Sequence, residues 1–266
     1  MKMSMNKDTL RQVINIVVII VTLAVNGLAN AIPFNGQTTG EISDRFHVFF
    51  TPAGYVFAIW GVIYLGLITF ALYQALPSQR ENPRLRKLGY ILAAANLANT
   101  FWLFFWHYNL FVLSLLTMLI LLGLLIATYL ILGIGRTPVS FAERWMVHLP
   151  VSIYLGWISV ATIANVTDVL YDIDWDGFGI APQSWAVIML AVAVLLGTVM
   201  ALNRRDAAFL LVFGWAFAGI AVKQSAAKMV STSAWVAAFL ALLLVILALV
   251  NKPNKTELSK ADRGDI

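Results

Sequence analysis

The amino-acid sequence predicts an all-α fold, a polytopic membrane helix bundle of about eight transmembrane helices. Two observations carry that prediction. Only 12% of the 266 residues are charged and 61% are hydrophobic, whereas soluble domains run near a quarter charged. The apolar residues also gather into runs of about 20, the length that crosses a bilayer, and not into the shorter alternating segments of a membrane barrel. In lipid every backbone amide must find its partner within the segment, so the runs are helices.

The spans fall at roughly 11–30, 52–76, 88–107, 110–132, 146–167, 183–202, 207–224 and 231–250. The first has a basic start, an apolar core and a small-residue Ala29-Asn30-Ala31 site, which would also suit a cleaved leader; we read it as a retained span. The second opens at Pro52. The third and fourth are parted only by a tight His107-Tyr108-Asn109 corner, and the last three are plainer, rich in Ala, Leu and Val.

Lysines and arginines orient the bundle, because cytoplasmic loops retain them. With the N-terminus inside, 15 of the 18 lie on the inner side and only Arg45, Lys223 and Lys228 lie outside. Both termini are therefore expected in the cytoplasm, with the chain embedded in a cell membrane of bacterial cytoplasmic type. The net charge of +5 is a topology signal and carries no implication of nucleic-acid binding. Absence of cysteine excludes disulfides, thiolate metal sites and thiol chemistry.

Three features divide the chain. The first outer loop, 31–51, mixes turn formers with Phe46, Phe49 and Phe50, which points to a lid packed on the membrane face. A second outer loop, 171–181, is acidic. The polar and aromatic residues concentrate before it, so residues 1–170 form the candidate ligand-binding bundle, 182–250 three additional helices, and 251–266 a charged cytoplasmic tail whose composition suits disorder.

At helical spacing, residues three or four apart share a face. Asn96, Asn99, Trp102 and Trp106 make one stripe on the third span; Val56, Trp60 and Tyr64 make another on the second; Tyr154, Trp157, Ala161 and Asn165 make a third on the fifth. Three such faces could enclose a cavity suited to a flat apolar ligand. Taken singly, the same residues read first as interhelical hydrogen-bonding glue or as interfacial belt. Tyr55, Trp106, Tyr108, Trp145 and Trp185 fit the belt, whereas Trp60, Trp102 and Trp157 lie deeper.

These motifs carry a resemblance. TPAGYVFAIWGVIY (51–64) resembles the second-helix signature of the TspO/MBR family, the tryptophan-rich sensory or translocator proteins; NLANTFWLFF is similar to its third-helix pattern, and Tyr154-x-x-Trp157-x-x-x-Ala161-Thr162-x-x-Asn165 to its fifth. The resemblance covers about residues 10–170 and implies a five-helix bundle that binds tetrapyrroles, sterols and related flat molecules, often as a homodimer, with no obligatory cofactor. Carried over by position, Trp60, Tyr64, Asn99, Trp102, Tyr154, Trp157, Ala161 and Asn165 would line or support the pocket and the 31–51 loop would close it. The chain departs from the pattern at Thr51-Pro52, where the family doubles the proline, and at Pro150, displaced from its usual place before the tyrosine. A sterol motif would need a Lys or Arg soon after Tyr171, and DIDWD supplies none.

Other candidates are weaker. Asp172, Asp174 and Asp176 followed by Gly177 open like a calcium loop, but the twelfth position is Gln183, where a bidentate Glu belongs. A solvated acidic loop is the favoured reading, so no metal is expected. Lys223 invites a Schiff-base reading, yet it sits at the end of a short span with no acidic counter-ion nearby in sequence. His47, His107 and His148 are scattered, His107 fitting a belt or cap. We find no nucleophile-plus-base pair, no phosphate loop and no acidic residue inside a span, so neither an enzyme nor a proton-coupled carrier is indicated. The leading function is a membrane receptor, carrier or sensor for a flat apolar molecule such as a tetrapyrrole; the alternatives are a secondary transporter and an assembly subunit of a membrane complex.

Overall fold

A computed structural model of the chain describes residues 6–250; the tail at 251–266 lies outside the described residues. All eight expected spans are helical. In chain order the helices are α1 (Lys7–Ala31), a short α2 (Thr39–Asp44) inside the 31–51 loop, α3 (Ile59–Ala75), a short α4 (Pro83–Leu88), α5 (Ile91–His107), α6 (Phe111–Ile131), α7 (Phe141–Glu143) leading into α8 (Leu149–Asp172), α9 (Pro182–Arg204), α10 (Ala207–Lys223) and α11 (Lys228–Val250). Six of these segments are long and apolar enough to cross a membrane. The other two spans, α5 and α10, have 17 residues each, about 25 Å at 1.5 Å per residue. The chain is a multi-pass membrane protein.

Local chemistry sets the boundaries. Asn6 caps α1 by accepting from the Asp8 amide at 3.0 Å, satisfying one of the amides that a helix start leaves without a partner. The α5–α6 corner turns on Asn109 at φ +60, a left-handed position that asparagine tolerates. Between α7 and α8 the backbone widens into a π turn over Arg144–His148. Pro150 follows at once; it lacks an N–H and crowds the carbonyl four residues back, and a wide turn is one way a helix absorbs that strain.

The fifth span is the centre of the molecule. In the most apolar stretch of Phe141–Asp172, 72% of the residues are buried, against 28–33% in the other five long spans. It packs on α3 and α6 to one side and α10 to the other. Close approach is made by small residues: a Cβ on Gly66 of α3 would fall 2.9 Å from Pro150 Cβ, and one on Gly156 of α8 would fall 3.2 Å from the Phe209 carbonyl oxygen of α10. α1, α3, α5, α6 and α8 form one cluster, and α9, α10 and α11 pack on one another beside it.

Polar ties sit at the end opposite the lid. Gln12 donates to the Gln74 carbonyl at 2.5 Å and Gln74 returns the bond to Gln12 at 3.0 Å, joining α1 to α3. Asp206, only 7% exposed, caps α10 through the Phe209 amide at 3.1 Å and accepts from Tyr129 at 2.8 Å and Ser152 at 2.6 Å. One carboxylate thus joins α6, α8 and α10.

Candidate functional site

The spacing of the aromatic residues brings them together at the lid end of the bundle. Trp60 of α3 stacks on Trp102 of α5 at 6.3 Å, and Trp102 on Trp106 at 5.9 Å, with interplanar angles of 25° and 19°. Trp157 of α8 stands across this file, at 82° to Trp60, and Phe57 meets Trp157 edge-on at 5.7 Å. Such offset and edge-to-face pairs are the arrangements that ring quadrupoles favour.

These rings line a cavity with about 40 Å³ of space open to the centre of a water molecule, bordered also by Ala161, Asn165 and Asp168 and by Thr39 and Ser43 of α2. On the other side of Trp60 and Trp102 lies a second cavity of about 470 Å³, between α1, α3 and residues 38–40, lined also by Asn26 and Tyr64. A chain of bonds orders its polar wall: Tyr64 donates to Asn26 Oδ1 at 2.9 Å and Asn26 Nδ2 to Asn99 Oδ1 at 3.0 Å.

The expected site residues therefore divide. Trp60 and Trp102 border both cavities, Tyr64 the larger, and Trp157, Ala161 and Asn165 the smaller. Asn99 and Tyr154 line neither. Asn99 supports the wall through Asn26, and Tyr154, 1% exposed, packs its ring 6.1 Å from Trp60. Asn165 is fully engaged, accepting from Trp102 Nε1 at 3.2 Å and donating to Ser114 at 3.2 Å.

Four expectations are corrected. Trp106 is not a belt residue: it is 3% exposed and donates to the Thr39 carbonyl at 3.2 Å. His107 does not face an interface either. It is fully buried, with Nδ1 2.8 Å from the Leu103 carbonyl oxygen, and its own carbonyl accepts from Asn35 at 3.0 Å. Lys223 does have an acidic neighbour, because its ammonium lies 2.6 Å from Asp44 Oδ1, which the fold brings across from the lid. Finally, a spanning helix does hold an acid. The fifth span runs on to Asp172, five residues beyond its apolar run, and so takes in Asp168, 2% exposed and lining the smaller cavity.

Asn26 and Asp168 are the polar residues that the sequence reading missed. Asp168 continues the Tyr154-Trp157-Ala161-Asn165 stripe by one more step of three, and Asn26 opens an Asn-x-x-x-Asn pair on the first span. The Asn26 signal lies inside the expected 11–30 span, whereas the Asp168 signal is readable only once the fifth helix is known to run past 167.

The lid is built as a folded element. Thr38 and Glu41 form a capping box, Thr38 N–H donating to Glu41 at 2.7 Å and the Glu41 amide to Thr38 Oγ1 at 3.3 Å. The backbone bond from Thr38, then its hydroxyl, holds the Glu41 carboxyl below its ordinary value. Phe46 and Phe50 are buried, Phe34 stacks on Phe104 at 5.4 Å, and Arg45 reaches Asn109.

A third cavity, about 460 Å³, lies between α8 and α9 and is lined by Tyr171, Trp175, Trp185 and Met189. Of the acidic loop beside it, Asp172, Asp174 and Asp176 are all exposed, and Asp176 is engaged in accepting from the Phe178 amide at 3.0 Å. Among the described residues no three His, Cys, Asp or Glu side chains gather as a metal would need.

The profile of one protein family, described as TSPO-like protein, matches residues 12–249. That match takes in α9, α10 and α11 as well as the five helices before them. No curated protein and no solved structure matches the chain.

Proposed function

The chain belongs to the TSPO-like protein family, membrane proteins of the ligand-binding or sensory kind, and from that premise we propose that it is a receptor, carrier or sensor for a flat apolar molecule such as a tetrapyrrole. One observation carries the reading. Trp60 and Trp102, in file with Trp106 and with Trp157 across them, stand between a small cavity and a larger one of about 470 Å³. The larger falls within the 300–1,000 Å³ usual for ligand pockets.

Binding energy comes mainly from apolar burial, at about 25 cal/mol per Å², while Asn26 and Tyr64 orient the ligand. A tetrapyrrole exceeds the 40 Å³ cavity, so its body lies in the larger one, beneath Thr38–Gly40, and one edge enters the smaller past Trp60 and Trp102 to reach Trp157. No catalytic step is proposed. Both termini are placed in the cytoplasm on the lysine and arginine bias, and the lid then faces outward.

Purified protein titrated with protoporphyrin IX, with tryptophan quenching as readout, tests this. Saturable quenching that weakens in Trp60→Ala and Trp157→Ala supports it; no saturable quenching in the unmutated protein overturns it.

A second reading, a permease, draws on the third cavity, which lies between the central helix and the first of the last three. Substrate flux in proteoliposomes that is blocked when Ala186→Trp fills that cavity, with porphyrin quenching intact, would favour it.

A further inference from the structure

Among the residues lining the smaller cavity, Asp168 is the only one that can carry a charge. It is 2% exposed, and its Oδ1 has no hydrogen-bond partner. It shares a face of α8 with Trp157: eleven residues advance about 20° beyond three full turns, so the carboxylate and the indole stand on one wall, about 16 Å apart along the axis. An ionised carboxylate held in such surroundings without a partner is costly. A positive charge brought beside it would offset that cost.

Trp157 Nε1, three turns away on the same wall, has no partner, and other indole and amide donors of the cavity are already committed. Trp102 Nε1 is given to Asn165, Asn165 Nδ2 to Ser114, and Trp106 Nε1 to Thr39. The Lys223 ammonium sits 2.6 Å from Asp44 Oδ1, and among the described residues no ion pair is made by Asp168 itself.

What remains is one buried carboxylate in a cavity that four indoles also line. A hard metal ion would want six or more oxygens and finds one carboxyl group. A substituted ammonium or N-alkylated ring nitrogen wants an aromatic enclosure, tryptophan above all, and a single opposite charge. We propose that the smaller cavity is an organic-cation subsite, in which Asp168 and the surrounding indoles hold a positively charged nitrogen on the ligand. The proposal rests on reading the tryptophan cavities as the ligand site, and it narrows the ligand class from flat and apolar to flat and carrying a cationic nitrogen.

Size agrees. The 40 Å³ open to water centres admits about three waters at 10–15 Å³ each, about 90 Å³ of liquid, room for an alkylammonium group or the charged edge of a ring. The flat body of the ligand would continue past Trp60 and Trp102 toward the larger cavity. Anionic substituents, such as the propionates of a porphyrin, would turn away from Asp168.

The test uses the full chain in lipid nanodiscs at pH 7.5 and a matched pair of probes, N-methylquinolinium and neutral quinoline, with protoporphyrin IX alongside; binding is read by tryptophan quenching. The unmutated protein is expected to prefer the quinolinium by tenfold or more. Asp168→Asn should remove that preference, costing the quinolinium at least tenfold more affinity than it costs quinoline, and Asp168→Glu should retain most of it. Equal affinity for the two probes overturns the inference while leaving the flat-ligand reading in place. A charge preference that survives in a folded Asp168→Asn protein also overturns it. Binding of the quinolinium through Asp168 with no porphyrin binding would uphold the inference and remove the tetrapyrrole. If none of the three binds, both fall together. The preference is measured on the unmutated chain, so it stands or falls whether or not a variant folds.

Discussion

Lys223 Nζ of α10 stands 2.6 Å from Asp44 Oδ1 at the end of the lid helix, a pairing across 179 residues of chain. Nearby, Gln224 donates to the Val48 carbonyl at 3.2 Å, Ala53 N–H to the Gly219 carbonyl at 3.1 Å, and Trp215 Nε1 to the Val56 carbonyl at 3.1 Å. Of the last three helices, α10 therefore holds both the lid and the start of the second span.

The ion pair is partly solvated, with side-chain exposures of 24% and 57%, and such pairs contribute about 0–1 kcal/mol. Lys223→Ala is thus expected to leave the melting temperature nearly unchanged. Its effect should be kinetic, a severalfold faster onset of porphyrin quenching in stopped flow, because the lid is released at one edge. An unchanged association rate would show that the pair is no latch.

Gly219 is one of the places where the two parts come close. A Cβ there would meet Val56 Cγ2 at 2.2 Å and Pro52 Cβ at 3.2 Å. Gly219→Ala should therefore destabilise the protein by about 1–3 kcal/mol, the usual cost of overpacking, and loosen the second span beside Phe57 and Trp60. Val56→Ala removes the clashing methyl, so the double variant should recover much of the loss; thermal melts that show strict additivity would refute this packing account.

Asp206 gives a sharper stability test. Asp206→Ala strips partners from Tyr129, Ser152 and the Phe209 amide at once, and buried groups left unsatisfied cost about 1–3 kcal/mol each. A loss of about 3 kcal/mol or more is expected in denaturant melts, with Asp206→Asn milder because it can still accept. A change under 1 kcal/mol would mean that α10 is not joined to α6 and α8 through this carboxylate.

The spans were legible because lipid leaves the chain little choice: about 20 apolar residues in a row can do little but cross. Trp60, Trp102 and Trp157 were legible by spacing, since a three-to-four-residue step on a buried helix is already a face. Asp168 was hidden because hydropathy ends the fifth span at 167, whereas the backbone continues helical to Asp172. Trp106 sits near a helix end like any belt residue, and only the lid folding over it makes it interior. The pairing of Lys223 with Asp44 leaves no local trace, because nothing within a turn of either residue points to the other.

The lid capping box makes a pH prediction. The bonds from Thr38 hold the Glu41 carboxyl below its ordinary value near 4.5, so the lowered group stabilises α2 above that value, and the contribution is lost as pH falls through the lowered, folded value. Protease cleavage within 31–51 should rise on going from pH 6 to pH 3 in the unmutated protein. Glu41→Gln, which cannot titrate, should show a flatter profile; identical profiles would assign the acid sensitivity elsewhere.

The aromatic file makes the most direct prediction for binding. An indole that gives up about 50 Å² of ligand contact loses about 1.3 kcal/mol at about 25 cal/mol per Å², close to tenfold in Kd. Trp60→Ala and Trp157→Ala should therefore weaken porphyrin binding about tenfold. Tyr64→Phe, which removes only the bond to Asn26 Oδ1, should cost less than threefold, because the ring still packs and Asn26 still donates to Asn99. Titrations of the three variants against the unmutated protein separate the effects. If Trp157→Ala binds as tightly as the unmutated chain while Tyr64→Phe does not, then recognition is polar and lies on the α1 side, and the indoles of α3, α5 and α8 serve only to pack the helices together.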